Sequence, residues 1–150
     1  MSFKHTSLLI AFDDSESAGR ALDFGLGLAE TLRLPVRIIY ATRPAARRSG
    51  EVRTINLEKL QEAAESVPEY ELGAALLDRA LERAGQRQVS VEPVLLGGDP
   101  AEALLRYAAE CDRPILVIGR RGRGRLQGLL MGSVSDKTVR LAKCPVIVIN

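Results

Sequence analysis

Residues 114–133 read PILVIGRRGRGRLQGLLMGS, an apolar run followed by a loop rich in glycine and arginine. The run PILVI is typical of a strand that is buried on both faces of a parallel sheet. From Gly119 to Ser133 the chain holds five glycines and four arginines. Glycine lets the backbone approach other groups closely, and arginine supplies permanent positive charge. The stretch therefore predicts a strand that leads into a loop suited to an anion.

Similar apolar runs recur along the chain and alternate with segments of helical periodicity. This alternation indicates a parallel sheet with helices on both of its faces. We therefore predict an α/β fold with one open sheet, in a single domain over residues 1–150. The predicted strands are 7–12, 36–40, 89–96, 114–118 and 145–149, and the predicted helices are 16–33, 57–67, 69–86, 100–111 and one that opens at Ser133.

Three helix starts carry capping signals. Ser15 stands directly before the first helical pattern, and a serine there can accept a hydrogen bond from a free backbone N–H. Asp99 is followed by Pro100 and, three positions after the cap, by Glu102. Ser133 has Asp136 three positions later, which predicts a cap at the start of the last helix.

The carboxyl ends of the strands should meet at one edge of the sheet. Asp13 follows the first strand, Ala41 the second and Gly119 the fourth. Ligands of open parallel sheets bind at this edge, where the strand order reverses. We therefore expect these three positions to surround a binding crevice.

The glycine loop has the parts of a phosphate site. It joins a strand to a helix N-terminus, where free N–H groups and the helix dipole favour an anion. Ser133 and Ser135 can add hydroxyl donors, although Ser133 could equally serve as a cap without any ligand. The lysine-containing phosphate-loop pattern is missing, since residues 128–133 hold no lysine.

Charge is distributed unevenly along the chain. From Asp112 onward eight Lys/Arg stand against two Asp/Glu, a balance of +6, whereas the first 111 residues carry −4.

No apolar run has the length of a membrane span, and the N-terminal residues do not form a secretory signal. Cys111 and Cys144 lie within apolar patterns and are interpreted as buried thiols in a reducing cytoplasm. His5 precedes the first strand, so it should lie at the far edge from the loop.

The spacing of Gly119, Gly122 and Gly132-Ser133 is G-x2-G-x9-G-[ST], which resembles the nucleotide motif of the universal stress protein family. The resemblance continues through GSVSDKTVRLAKCPVIVI at 132–149, IAFDDSESAGRALDFGLGLA at 10–29 and GGDPAEALLRYAAE at 97–110. It covers most of the chain apart from residues 41–70.

The resemblance implies a Rossmann-like sheet with strand order 3-2-1-4-5 and an ATP site at its carboxyl edge. It implies that Asp13 contacts the nucleoside, that the backbone near Ala41 contacts adenine, and that the glycines and serines of the loop surround the phosphates. We further expect Arg120 and Arg121 to face the crevice, and Arg123 and Arg125 to face away. The predicted ATP-binding residues are Ala11, Asp13, Ala41, Gly119, Arg120, Arg121, Gly122, Gly132, Ser133, Val134 and Ser135.

The chain departs from the family pattern at Asp14, where many members have glycine. A carboxylate near triphosphate could bind Mg²⁺ or Mn²⁺ together with the phosphates, or it could simply face solvent in the turn. Both interpretations stay open at this point.

These features predict an ATP-binding regulatory protein of the stress response. An ATP-hydrolysing or nucleotide-dependent enzyme is the alternative, and a nucleic-acid binder that uses the arginines is less favoured, because the loop has no aromatic side chain for stacking. The apolar strand 145–149 would form an exposed edge of the sheet, which predicts a homodimer through that strand.

Overall fold

The computed structural model describes residues 4–42, 68–123 and 130–150. The predicted helix 57–67, Arg125, and the glycines at 124 and 128 lie outside these ranges. The strands are β1 (Ser7–Ala11), β2 (Val36–Thr42), β3 (Val91–Gly97), β4 (Pro114–Gly119) and β5 (Val146–Ile149), and the helices are α1 (Glu16–Leu32), α2 (Pro68–Ala84), α3 (Pro100–Glu110) and α4 (Ser133–Leu141).

The five strands form one parallel sheet in the order β3-β2-β1-β4-β5. The predicted fold class and strand order are therefore confirmed. The order reverses beside β1, so β1 and β4 flank the crevice where ligands of such sheets bind. Pro93 lacks a backbone N–H, and it is accommodated because β3 is an edge strand.

Two apolar layers enclose the sheet. On one face, Leu8, Ile10 and Val117 pack against α1 and α2. On the other face, Leu9 and Leu116 pack against α3 and the start of α4. Alternate residues of the same strands serve the two layers, which is why the strand sequences are apolar almost throughout. Within the described ranges, no helix combines the length and apolarity that crossing a membrane requires.

Two strands extend further toward the carboxyl edge than predicted. β2 continues through Thr42, because its pairing with β3 runs on to Thr42 opposite Gly97. Ala41 therefore lies within β2 instead of following it. β4 likewise includes Gly119, which pairs with Ile149. Strand pairing holds these residues in place at the rim of the crevice.

The capping predictions are confirmed for two helices and wrong for one. Ser15 accepts a hydrogen bond from Ala18 N at 3.2 Å, and Asp99 accepts one from Glu102 N at 3.1 Å. At α4 the N-cap is Gly132, which makes no side-chain cap bond. Ser133 is the first helical residue, because the backbone at Gly132 is still extended. Its hydroxyl is therefore not used as a cap.

The two glycines of the GLGL segment in α1 have different surroundings. A Cβ at Gly25 would lie 2.5 Å and 2.9 Å from side-chain carbons of Ile10, which is fully buried. A Cβ at Gly27 would come no closer than 3.8 Å to Arg87. Gly25 thus allows α1 to lie directly on β1, whereas Gly27 has room for a side chain.

Gly25→Ala should therefore destabilise the protein by about 1–3 kcal/mol, the usual cost of overpacking a core. Gly27→Ala is the matched control in the same helix, and it should stabilise by about 0.5–1 kcal/mol because alanine loses less entropy on folding. Urea unfolding of both variants measures the difference. Equal effects of the two substitutions would contradict the packing assigned to Gly25.

Candidate functional site

A cavity of about 640 Å³ opens at the carboxyl edge of the sheet. This volume lies within the range of about 300–1,000 Å³ that is typical of small-molecule sites. Its walls come from the ends of β1, β2 and β4 and from the starts of α3 and α4. The predicted residues that line it are Ala11, Asp13, Ala41, Gly119, Arg121, Gly122, Gly132, Ser133, Val134 and Ser135.

Gly119 places the end of β4 directly against the first turn of α1. A Cβ at this position would lie 2.6 Å from Ser17 Oγ and 2.7 Å from the backbone N of Ala18. The second of these contacts is with backbone, which cannot turn aside as a flexible side chain can. The absence of a side chain at Gly119 therefore sets the distance between the loop and the β1–α1 turn.

Two serines of that turn hold the loop in place. Ser17 Oγ donates to Arg121 O at 2.5 Å and accepts from Arg121 N at 3.2 Å. Ser15 Oγ donates to the same carbonyl at 3.1 Å. Three hydrogen bonds thus satisfy both backbone polar groups of Arg121, and the loop follows a defined path along the cavity rim.

Asp13 joins the turn and the loop from the cavity side. Its Oδ1 accepts from Ser15 N at 3.0 Å, and its Oδ2 accepts from Arg123 N at 3.2 Å. A Cβ at Gly122 would lie 2.8 Å from the same Oδ2. The small size of Gly122 therefore lets the Asp13 carboxylate reach the loop backbone.

The start of α4 presents free backbone donors to the cavity. The first intrahelical hydrogen bond of α4 runs from Asp136 N to Gly132 O at 2.9 Å. The N–H groups of Ser133, Val134 and Ser135 therefore have no intrahelical acceptor, and all three residues line the cavity. Such a group of amides at a helix N-terminus is a ready binding site for an anion.

Hydrogen bonds from two residues around this helix start fix its position. Gly132 N donates to Arg120 O at 2.8 Å, and the buried hydroxyl of Ser135 donates to Gly119 O at 2.7 Å. The hydroxyl of Ser135 thus bonds to the protein backbone, and its predicted role as a ligand donor stays a prediction. The exposed side chain of Ser133 keeps its hydroxyl at the cavity.

The wall of the cavity also contains residues that the sequence patterns did not identify as part of the site. Asp99, Thr42 and Leu104 line the cavity there. Asp99 was recognisable as a helix cap, but its place at the crevice depends on how α3 packs on the sheet. Lys137 Nζ lies 3.6 Å from Asp99 Oδ1 and 2.8 Å from Glu102 Oε1, and the hydrogen bond with Glu102 is the main reason that the pKa of Lys137 is raised.

Arg120 and Arg123 differ from their expected placement. Arg120 does not line the cavity, and its backbone N donates to Ile149 O at 2.6 Å, which ties the loop to β5. Arg123, expected to face away, lines the cavity together with Arg121. Arg123 lies at the cavity because the chain at Gly122 brings it next to Asp13, whose carboxylate accepts its backbone N–H.

Asp14 also lies outside the cavity lining. Its backbone φ is 62°, in the left-handed region that favours glycine and that aspartate tolerates better than most residues. Its carboxylate forms an ion pair with Arg79 Nη1 of α2 at 2.6 Å. Asp14 thus takes the left-handed position in this turn where many family members have glycine.

The fold and the cavity define an open-sheet α/β protein with a crevice at the point where the strand order reverses. The model of the universal stress protein family matches residues 5–150, so the chain belongs to this family.

The similarity to individual members extends over nearly the whole chain. Universal stress protein YxiE of Bacillus subtilis is 29% identical, with 95% of this chain and 97% of the relative covered. A universal stress protein solved in complex with cAMP is 25% identical, covers 97% of each chain and has a TM-score of 0.70. A universal stress protein of Archaeoglobus fulgidus is 26% identical, covers 98% of this chain and all of its own, and also has a TM-score of 0.70.

Ser17→Ala should loosen the loop at Arg121. The substitution removes one donor and one acceptor for the Arg121 backbone, so we expect a loss of about 1–3 kcal/mol of stability and faster amide hydrogen exchange at Arg121. Thr31→Ala is the control, since the exposed Thr31 hydroxyl donates within α1, to Gly27 O. Unchanged exchange at Arg121 in Ser17→Ala would show that the serine does not hold the loop.

Proposed function

We propose that this protein is a cytoplasmic regulatory protein of the stress response that binds ATP in the cavity at the carboxyl edge of its sheet. The observation that carries the proposal is the anion site at the start of α4. Three backbone amides without intrahelical acceptors lie there on the same cavity as Arg121 and Arg123. Permanent positive charge beside free amides is the arrangement that recognises phosphate.

The rest of the cavity fits the nucleoside of the same ligand. Ile39, Leu104 and Ile118 supply apolar walls, and Ala41 and Thr42 bring the backbone of β2 to the rim. An adenine ring could lie between these walls with the phosphates toward α4. The related protein solved with cAMP supports an adenine nucleotide as the ligand class. The triphosphate is the finer part of the proposal, and the two arginines on the cavity support it.

Asp13 would contact the nucleoside from its place between the turn and the loop. Both of its carboxylate oxygens already accept backbone N–H groups, so the side chain is oriented before a ligand enters. A carboxylate oxygen has more than one lone pair and can accept a further hydrogen bond from a ribose hydroxyl or an adenine amine.

A metal ion at the proposed site would take most of its ligands from the phosphates. Among the described residues, no group of three or more His, Cys, Asp or Glu side chains could hold one. Binding of Mg²⁺ or Mn²⁺ by Asp14 stays a prediction, and it would require the carboxylate to leave Arg79. The carboxylates on the cavity itself are those of Asp13 and Asp99.

Replacing both Arg121 and Arg123 by alanine should weaken ATP binding by about a hundredfold or more, because each of the two charged hydrogen bonds contributes roughly 1.5–3 kcal/mol. Adenosine binding should hardly change, since adenosine has no phosphate. Isothermal titration calorimetry with ATP, cAMP and adenosine measures both effects.

Arg140→Ala is the matched control for this experiment. Arg140 is an exposed arginine of α4 that pairs with Asp136 and does not line the cavity. An equal loss of ATP affinity in this variant would mean that the overall charge of the protein, and not the cavity arginines, attracts the nucleotide. No binding of any adenine nucleotide to the unaltered protein would reject the proposed function.

We also propose that the protein forms a homodimer through β5. β5 is the last strand of the sheet and pairs with β4 on one side. Its four residues, VIVI, are only partly buried, and Val139 and Leu141 of the neighbouring α4 are exposed. An apolar edge of this kind favours pairing with the same strand of a second subunit.

Ile147→Lys should convert the dimer to monomers, because it places a charge at the centre of the paired edge. Ala75→Lys adds the same charge at an exposed position of α2 and should leave the dimer intact. Light scattering after size exclusion gives the mass, and circular dichroism verifies the fold. A monomeric unaltered protein at micromolar concentration would reject the dimer.

A further inference from the structure

Two thiols lie at the edge of the sheet opposite the cavity. Cys111 is the C-cap of α3, just before β4 begins, and Cys144 lies between the end of α4 and the start of β5. Neither forms a disulfide, both are half-buried, and both pack against the apolar layer that contains Leu9 and Leu116. α3 and α4 pack against each other, and the two cysteines lie at or just beyond the C-terminal ends of these helices.

Arg37 of β2 brings a positive charge to this group. Its Nη1 donates to Cys111 Sγ at 3.7 Å, and its Nε donates to Glu92 Oε2 at 3.3 Å. Arg37 reaches the thiol because it stands in register with Leu9, in the row of the sheet that faces α3. Burial alone would lower the pKa of Arg37, but Tyr107, Cys111 and Glu92 outweigh burial and raise it.

The two thiols differ in their surroundings. A guanidinium beside sulfur favours the thiolate, which is the nucleophilic form of cysteine. Burial raises the pKa of the Cys144 thiol, and the nearby Cys111 adds to the rise. Cys111 is therefore suited to react first, and Cys144 is suited to remain a thiol until a partner sulfur is oxidised.

The geometry points to a redox modification site in which Cys111 reacts with a hydroperoxide and Cys144 then closes an intramolecular disulfide. Such transient disulfides serve as redox sensors in reducing compartments. The site lies at the other edge of the sheet from the nucleotide cavity, so its chemistry does not depend on the proposed ATP binding.

The reaction has two steps. The Cys111 thiolate attacks the terminal peroxide oxygen, the O–O bond breaks, and the leaving oxygen takes a proton from solvent while the sulfur becomes a sulfenic acid. The Cys144 sulfur then attacks the Cys111 sulfur, the S–O bond breaks, and the hydroxyl group leaves as water with the thiol proton. Two thiols are oxidised to one disulfide, and one hydroperoxide is reduced to an alcohol, or to water if it is hydrogen peroxide.

Hydrogen peroxide is added to the reduced full-length protein, and the product is examined by mass spectrometry without reductant. We expect the mass of one chain minus two hydrogen atoms, with a peptide that links Cys111 to Cys144. In Cys144→Ser the reaction should stop at a sulfenic acid on Cys111, trapped with dimedone. In Cys111→Ser, Cys144 should stay reduced under the same conditions.

Arg37→Met should slow oxidation of Cys111 by roughly tenfold, as expected for the loss of a charged hydrogen bond to the reacting sulfur. Glu92→Gln leaves the guanidinium beside Cys111 and should not slow it. Arg87→Met removes an arginine that follows α2 and pairs with Glu30 of α1. Cys111 of this variant should be oxidised as fast as in the unaltered protein.

Three results would overturn the proposal. They are a disulfide that links two chains, dimedone labelling of Cys144 before Cys111, and an unchanged rate in a folded Arg37→Met variant. If Arg37→Met does not fold, the order of labelling in the two cysteine variants still decides between the proposal and two unrelated thiols.

Discussion

The contact between Gly119 and the first turn of α1 is the constraint on which the cavity depends. Because Gly119 has no side chain, the backbone of Ser17 and Ala18 lies directly against the end of β4. This approach brings Ser17 within reach of both backbone groups of Arg121, and it leaves room for Ser135 to bond the carbonyl of Gly119. The strand end, the loop and two helix N-termini are thereby fixed to one another, and the cavity is the space they leave between them.

Residues of both charges line this space. Arg121 and Arg123 lie on it together with the N-terminal amides of α4, and so do the acidic residues Asp13 and Asp99. Lys137 links the two helices, because it extends from α4 to the acidic residues of α3. A ligand that carries both phosphate and hydrogen-bond donors would complement these residues.

The parallel sheet separates two kinds of chemistry. All strands point the same way, so the connections that carry Asp13 and the glycine loop lie at the carboxyl edge, and those that carry Cys111 and Cys144 lie at the amino edge. His5 also lies at the amino edge, where its Nδ1 is 3.1 Å from Arg113 O. The proposed nucleotide binding and the proposed thiol oxidation therefore involve different residues at opposite edges of the sheet.

Local signals in the sequence were sufficient for much of the fold. Apolar runs located all five strands, helical periodicity located the described helices, and the caps at Ser15 and Asp99 were identified correctly. The strand order came from the resemblance carried by the glycine motif, since periodicity states which faces are buried but not which strands are neighbours. The same motif indicated most residues of the candidate site. Glycine is needed wherever two backbone segments come close together, so the spacing of glycines is visible in the sequence alone.

Only the tertiary structure decided contacts between residues far apart in the chain. Asp14 pairs with Arg79 of α2, and no local pattern distinguishes that carboxylate from a metal ligand. Arg123 lines the cavity and Arg120 does not, because of the path of the loop at Gly122. The place of Asp99 depends on the packing of α3 against the sheet. The sequence by itself thus determined the elements and the chemical nature of the loop. Packing decided which charged groups reach the cavity. Their positions depend on the distances between helices and strands, and the packing of the whole core fixes those distances.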